Sequence, residues 1–386
     1  MKACLNAGLA LLVASAALAE EIHPWPATTE TALMAAGANR AELEKALAEA
    51  PPEQREGMQF LIDNMPQTDL VSLKAEFLLT HVASSYQAME HAHWASLVPK
   101  EIFLNDVLPY AILNEVRDNG RPKLREIATP LVKDCQTPGE AAQMLNQKLF
   151  GIVKVKYSTT RRKPDQSSLE SMQSGVATCS GLSILLVDAC RAVGVPARVV
   201  GTPLWTNLRG NHTWVEVWDG DWHFAGAAEP DGNGLDHGWF AGDAAAANNA
   251  KAEHRIYASS FKRTGVSFPL VWDLSLDWVP AVNVTDRYTG AAKSPEGRVR
   301  LLVRVLDKPE GRCVAARVTV TDAADASVSY TGTSSSETAD LNNILPFQLL
   351  PGHTYHLEIR DHEKSAEKDI AVTKQPEQII TIPLAP

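Results

Sequence analysis

Between Cys179 and Gly226 the hydrophobic period switches from helical to alternating, and this change narrows the possible folds more than any other feature of the chain. Leu182, Leu185, Leu186, Ala189, Cys190 and Val193 recur at helical spacing and define one buried stripe. Gly194 stops the helix, and Pro196, which lacks an N–H, prevents it from resuming. Ala197–Gly201 then reads as a strand, and Asn211–Trp218 alternates as a second. Asp219-Gly220 signals a hairpin turn, and Asp221–Gly226 returns antiparallel. The pattern predicts a helix followed by an antiparallel sheet.

The two cysteines of this helix have different environments. Cys179 opens it, where free backbone N–H groups and the positive end of the helix dipole stabilise a thiolate. Cys190 lies on the buried stripe and reads as an inert core thiol. Eleven residues of helix separate them, about 16 Å at roughly 1.5 Å per residue, so they cannot form a disulfide, whose Cα separation stays below about 7 Å. His212 opens the second strand, and a neutral imidazole there could take the Cys179 proton or form a thiolate–imidazolium pair. Glu229 and Asp231, just past the returning strand, are the nearest carboxylates able to orient that imidazole. Gln173, upstream of Cys179, is a candidate oxyanion donor, with a solvated glutamine as the competing assignment. Trp214 and Trp239 are candidates for lining a substrate groove, against packing within the sheet.

These residues carry a resemblance. Gly175-Val176-Ala177-Thr178-Cys179, Arg191-Ala192-Val193-Gly194-Val195-Pro196-Ala197-Arg198-Val199-Val200 and His212-Thr213-Trp214-Val215-Glu216-Val217 resemble the transglutaminase-like superfamily over roughly residues 140–243. The resemblance implies a papain-like α+β core with a Cys-His-Asp triad, in which Cys179 is the nucleophile and His212 the base. Its members include protein cross-linking enzymes, cysteine peptidases and peptide N-glycanase. The family places its aspartate four residues after the tryptophan of the returning strand. Here that position is Gly226, and Glu229, followed by Pro230, becomes the displaced third member, with Asp231 as the alternative.

The rest of the chain supplies context. Residues 1–19 read as a signal peptide: Met1-Lys2, an apolar run from Leu9 to Leu18, and Ala17-Leu18-Ala19 as a cleavage site. The run is shorter than the roughly 20 residues needed to span a bilayer, and no transmembrane segment follows, so the protein is expected to be exported to a periplasm or beyond the cell. Export leaves Cys135 and Cys313 available to one another as a disulfide, beside Cys179 and Cys190. Residues 20–136 form a helical N-terminal region, with helices expected over Arg40–Ala50, Leu70–Trp94 and Glu101–Asn119. Residues 137–290 form the catalytic core. Residues 291–386 contain short strands between turns and predict an antiparallel β-sandwich of immunoglobulin or prealbumin type.

A net charge of −10 argues against nucleic acid as a partner. His91-Ala92-His93 has no partners at metal-ligand spacing, so no metal or other cofactor is expected. The sequence points to an exported thiol-dependent acyl-transfer enzyme acting on amide bonds of a protein or peptide, as a cysteine peptidase or amidase. The alternatives are a protein-glutamine transglutaminase, which uses an amine acceptor, and an inactive transglutaminase-like binding protein.

Overall fold

The computed structural model describes residues 25–289, 297–375 and 377–384, so the expected signal peptide lies outside the described residues. The N-terminal helices are α1 (Ala27–Ala35), α2 (Arg40–Glu49), α3 (Arg55–Asn64), α4 (Ala75–His91) and α5 (Lys100–Asp106). They bury Leu33, Leu43, Leu47, Met58, Leu61 and Leu78 in a shared cluster. Prolines follow α2 and α3 directly, at Pro51 and Pro66 after extended residues Ala50 and Met65.

The helix expected over Glu101–Asn119 ends at Asp106. Pro109 supplies no N–H and disfavours helix in the residue before it, and the chain then crosses the interior without regular structure. Buried backbone groups must find partners, and here side chains provide them. His81 Nε2 lies 2.8 Å from the Leu108 carbonyl. Arg121 donates to the carbonyls of Val107 and Pro109, and Arg191 to those of Pro109 and Ala111. The Glu115 carboxylate accepts from the N–H groups of Ile112 and Leu113 at 2.8 Å each.

Helices α6 (Arg121–Val132), α7 (Pro138–Val153), α8 (Ser168–Ser174) and α9 (Cys179–Ala192) follow. Although α6 precedes the boundary expected at residue 137, its Leu124, Ala128 and Val132 share a hydrophobic cluster with α9. Strands β1 (Ala197–Thr202), β2 (His212–Trp218), β3 (Trp222–Ala225), β4 (Tyr257–Ser259) and β5 (Ala281–Asn283) form an antiparallel sheet in the order β3-β2-β1-β4-β5. Gly194 at φ 78° and Gly220 at φ 85° make the two turns anticipated from sequence. The central strand β1 is buried throughout, because α9 covers one face and the aromatic cluster around Trp214 covers the other.

The C-terminal region holds two sheets. Strands β6 (Val299–Leu306), β7 (Arg317–Asp322), β8 (Ser329–Thr333), β9 (Leu345–Leu349), β10 (Thr354–Asp361), β11 (Lys364–Ala371) and β12 (Glu377–Pro383) arrange as β8-β7-β10-β11 and β9-β6-β12. Leu301, Val303, Val318, Val320, Leu357 and Ile359 meet between them. All pairings are antiparallel except β6 with β12, which run parallel. Two edge strands were hard to see in sequence. Strand β9 carries Pro346, which an edge tolerates, and β11 is largely exposed and lacks the alternation of a half-buried strand. Cys135, Cys179, Cys190 and Cys313 are all free, so the Cys135–Cys313 pairing is not made. Among the described residues no helix is long and apolar enough to cross a membrane.

Candidate active site

Cys179 is the first residue of α9. Thr178 caps this helix, its hydroxyl accepting from the Gly181 N–H at 3.4 Å and donating to the Pro164 carbonyl at 2.9 Å. The capped end therefore directs backbone N–H groups and the helix dipole at the thiol. A contact of 3.1 Å between the hydroxyls of Ser180 and Thr213 ties this end to β2, one residue from His212. The thiol is half-buried, whereas Cys190 is fully enclosed and burial pushes its thiol up to about 12. The two cysteines differ in burial as their places on the helix suggest.

His212 begins β2, opposite Thr202 of β1. Aromatic rings enclose it, with centroids of Trp239, Phe240, Trp214 and Trp205 at 4.6, 5.0, 5.8 and 6.2 Å. The imidazole is only 2% exposed, and neither ring nitrogen has a partner within hydrogen-bond distance. Asp340, in the turn between β8 and β9 of the sandwich, brings Oδ2 to 3.6 Å from Nδ1. One sulfur, nitrogen or oxygen atom from each of Cys179, His212 and Asp340 lies within 4.8 Å of the others. Burial by itself lowers an imidazole pKa, but Asp340 and Cys179 outweigh it and push His212 up to about 10. Asp340 is held below its usual range despite burial, chiefly by His212.

The two residues expected in the third position are placed differently. Glu229 does approach the site: a Cβ at Gly226 would lie 2.9 Å from its Oε2, so its carboxylate fills the space a side chain at 226 would take. That carboxylate accepts from Trp239 Nε1 at 2.7 Å. Burial raises its pKa, with Asp340 adding to the rise, while His212, Trp239 and the backbone N–H of Asp340 oppose it. The ion-pair partner of His212 is Asp340. Asp231 is spent within its own turn, accepting from the Asn233 N–H at 2.8 Å.

Gln173 is exposed on α8 and is not among the residues lining the cleft at Cys179, because the Ser167–Glu170 capping box sets that helix with Gln173 outward. Trp214 is buried, stacks beside His212 and donates to Tyr288 Oη, so it packs the sheet and lines no groove. Trp239 does line a cavity, on the Glu229 side. Asp340 escapes a sequence reading because its Asp-Leu-Asn-Asn turn has the composition of any surface turn.

A cleft of about 370 Å³ opens beside the thiol, bounded by Tyr157, Arg161, Thr178, Trp272 and Leu341. Residues 125–244 match the sequence profile of the transglutaminase-like superfamily. The middle of this chain is a transglutaminase-like core. Among solved structures, the chain is similar to a candidate cysteine protease from Cytophaga hutchinsonii (19% identity over 30% of this chain and 40% of that one, TM-score 0.25). It is also similar to a candidate protease from Parabacteroides distasonis (12%, 48% and 30%, TM-score 0.25) and to red sea bream transglutaminase (10%, 73% and 66%, TM-score 0.32). The chain thus spans less than half the length of the two bacterial proteins. No curated protein matches it.

In the transglutaminase-like core, the His212 imidazole shares one small group with the Cys179 thiol and the Asp340 carboxylate. The position of His212 is set by a close backbone approach: a Cβ on Gly201 of β1 would meet the His212 carbonyl oxygen at 2.9 Å. Gly201→Ala is therefore expected to push β2 away from β1 and cost about 1–3 kcal/mol. Urea denaturation would measure the loss, and an unchanged midpoint would show that the strand yields freely.

Proposed function

We propose that the protein is a cysteine-dependent acyl-transfer enzyme that cleaves an amide bond of a protein or peptide. The supporting observation is a half-buried thiol at a capped helix N-terminus, grouped with a buried imidazole that favours its protonated form. The Cys179 proton passes to His212, and the thiolate attacks the carbonyl carbon, forming an S–C bond. The N-terminal N–H groups of α9 face the developing oxyanion. The imidazolium returns its proton to the amide nitrogen as the C–N bond breaks, releasing an amine and leaving a thioester. Water then adds with His212 as base, the S–C bond breaks, and a carboxylic acid leaves. We favour water over an amine as acceptor because Arg161 lines the cleft and disfavours a cationic lysine there. The leader-like residues 1–19 support a site of action outside the cytoplasm.

The test is iodoacetamide labelling of Cys179 against pH, read by peptide mass spectrometry. Labelling is expected to persist at about pH 6, where an ordinary thiol is almost wholly protonated. The upper limit of the thiolate–imidazolium window follows from His212, which loses its proton as pH rises through about 10. His212→Ala is expected to reduce labelling at about pH 6 by at least roughly ten-fold. Labelling that follows the pH profile of a free cysteine and ignores His212 would overturn the proposal.

A further inference from the structure

The loop from Tyr157 to Pro164 is tied at both ends to the segment that leads into α9. Tyr157 pairs with Ala177, the Ser158 N–H donates to the Ala177 carbonyl at 2.9 Å, and the Thr178 hydroxyl donates to the Pro164 carbonyl at 2.9 Å. The loop is therefore held beside Cys179, the residue that follows, and Arg161 stands at its middle. Tyr157, Arg161 and Cys179 accordingly line one cleft.

Arg161 is half-buried, and among the described residues its charge has no carboxylate partner. Its neighbours differ: Lys163 pairs with Glu170 at 2.9 Å, and Arg162 is exposed. Arg161 Nη1 donates to the Thr159 carbonyl at 2.7 Å, which holds the guanidinium against its own loop. Nε and Nη2 form another edge of the guanidinium, and among the described residues that edge makes no hydrogen bond. Two parallel N–H groups on one edge are the fork that matches both oxygens of a carboxylate. Asp340, the acid that lines the same cleft, is engaged elsewhere: Oδ1 accepts from the Asn342 N–H at 2.8 Å, and Oδ2 lies 3.6 Å from His212 Nδ1. Tyr157 supplies a second donor. Its oxygen accepts from the Leu341 N–H at 3.5 Å, and its own proton has no acceptor among the described residues.

We propose that the substrate of the Cys179 cleft carries a carboxylate close to the amide that is cleaved, and that Arg161 grips it through Nε and Nη2 with Tyr157 beside it. The inference rests on the acyl-transfer reading and adds the charge of the substrate. A half-buried cation without a counter-ion has lost hydration that a bound anion restores. The cleft, at about 370 Å³, is near the lower end of ligand-site volumes, so the carboxylate and the amide belong to the same or adjacent residues of the substrate. An acidic side chain and a free C-terminal carboxylate offer the same two oxygens, and the experiment separates them.

The first measurement treats the full chain with an equimolar mixture of iodoacetate and iodoacetamide at about pH 8. The two adducts of Cys179 are counted in the same peptide by mass spectrometry. Both reagents meet the same thiolate, so its abundance cancels from their ratio. Iodoacetate is the anionic probe, and its share at Cys179 is expected to exceed that in the urea-unfolded chain by at least about five-fold. Arg161→Gln is expected to bring the ratio to within about two-fold of the unfolded value, whereas Arg162→Gln, an exposed neighbour, leaves it within about two-fold of wild type. His212 and Asp340 also act on the anion, but they are common to all these chains. An unchanged ratio in Arg161→Gln, or no preference for iodoacetate in wild type, would overturn the proposal.

The second measurement is protection of Cys179 from iodoacetamide by three blocked tripeptides: one with a central glutamate, one with a central glutamine, and the glutamine peptide with a free C-terminal carboxylate. At least one carboxylate peptide is expected to give half-protection at a concentration about five-fold or more below the neutral one, and the advantage is expected to vanish in Arg161→Gln and to shrink in Arg161→Lys, which keeps the charge but lacks the fork. The more protective peptide identifies the source of the carboxylate. Equal protection by all three, or by none, would overturn the proposal. Each of these failures leaves the acyl-transfer reading standing while labelling still depends on His212; labelling that ignores His212 overturns that reading, whatever the ratio of adducts.

Discussion

Arg191→Met is expected to destabilise the protein by about 3–5 kcal/mol, the scale of breaking a buried charge network from one side. Arg191 is 2% exposed and lies near the end of α9. It donates through Nε to the Ala197 carbonyl at 3.0 Å, and through Nη1 to Pro109 and Ala111 at 3.3 and 3.1 Å. Methionine fills the volume but leaves the Ala111 and Ala197 carbonyls without these donors, at about 1–3 kcal/mol for each buried group left unsatisfied. It also removes a cation that favours the ionised forms of Asp106 and Asp188, two carboxyls already pushed up by burial to about 6. Urea denaturation at neutral pH measures the effect. A midpoint close to wild type would show that the 107–120 segment finds its hydrogen bonds elsewhere.

Glu216→Ala is expected to cost a similar amount, about 3–5 kcal/mol, and to loosen the base as well. The Glu216 carboxylate is fully buried in β2 and accepts from Arg198 Nε and Nη2 at 2.8 and 2.6 Å, from Tyr288 Oη at 2.8 Å and from Arg287 Nη1 at 3.1 Å. Its removal strands the Arg198 guanidinium, itself 6% exposed and 3.7 Å above the Trp222 ring. Tyr288 Oη also receives the Trp214 indole N–H at 2.9 Å, and Trp214 stacks beside His212. Lower stability is thus expected together with weaker low-pH labelling of Cys179. Glu216→Gln, which retains an acceptor, is expected to lose less. Equal losses in the two variants would show that charge, and not hydrogen bonding, dominates.

Both residues belong to the sequence pattern that resembles the transglutaminase-like superfamily, yet neither faces the cleft at Cys179. Arg191 secures the buried segment beneath α9, and Arg198 with Glu216 clamps β1 to β2. The pattern therefore records the mechanical link between the helix bearing the thiol and the strand bearing the imidazole. This link holds the thiol and the imidazole together although they are well separated in the chain.

Local order was legible because it is written in local periods. The stripe from Leu182 to Val193, the stop at Gly194, the Asp219-Gly220 turn and the alternation through β2 each depend on near neighbours, and each appears in the structure. Cys179 and His212 were legible for the same reason, as the first residues of a helix and a strand. The end of α5 at Asp106 was missed because helix-forming residues continue beyond it, while burial of the following segment depends on Arg121 and Arg191 from elsewhere.

The place of Asp340 belonged to tertiary structure alone. No property of its turn distinguishes it from other surface turns; docking of a separate sandwich turns it toward His212. Glu229 shows the converse, a carboxylate near the expected place whose hydrogen bonds commit it to Trp239. The sequence by itself determined the α+β core, the helix that opens on a thiol and the strand that presents an imidazole, since these follow from residue periodicity and backbone capping. Only the tertiary structure decided which acid meets that imidazole, because the choice depends on the long-range packing of two separately formed cores.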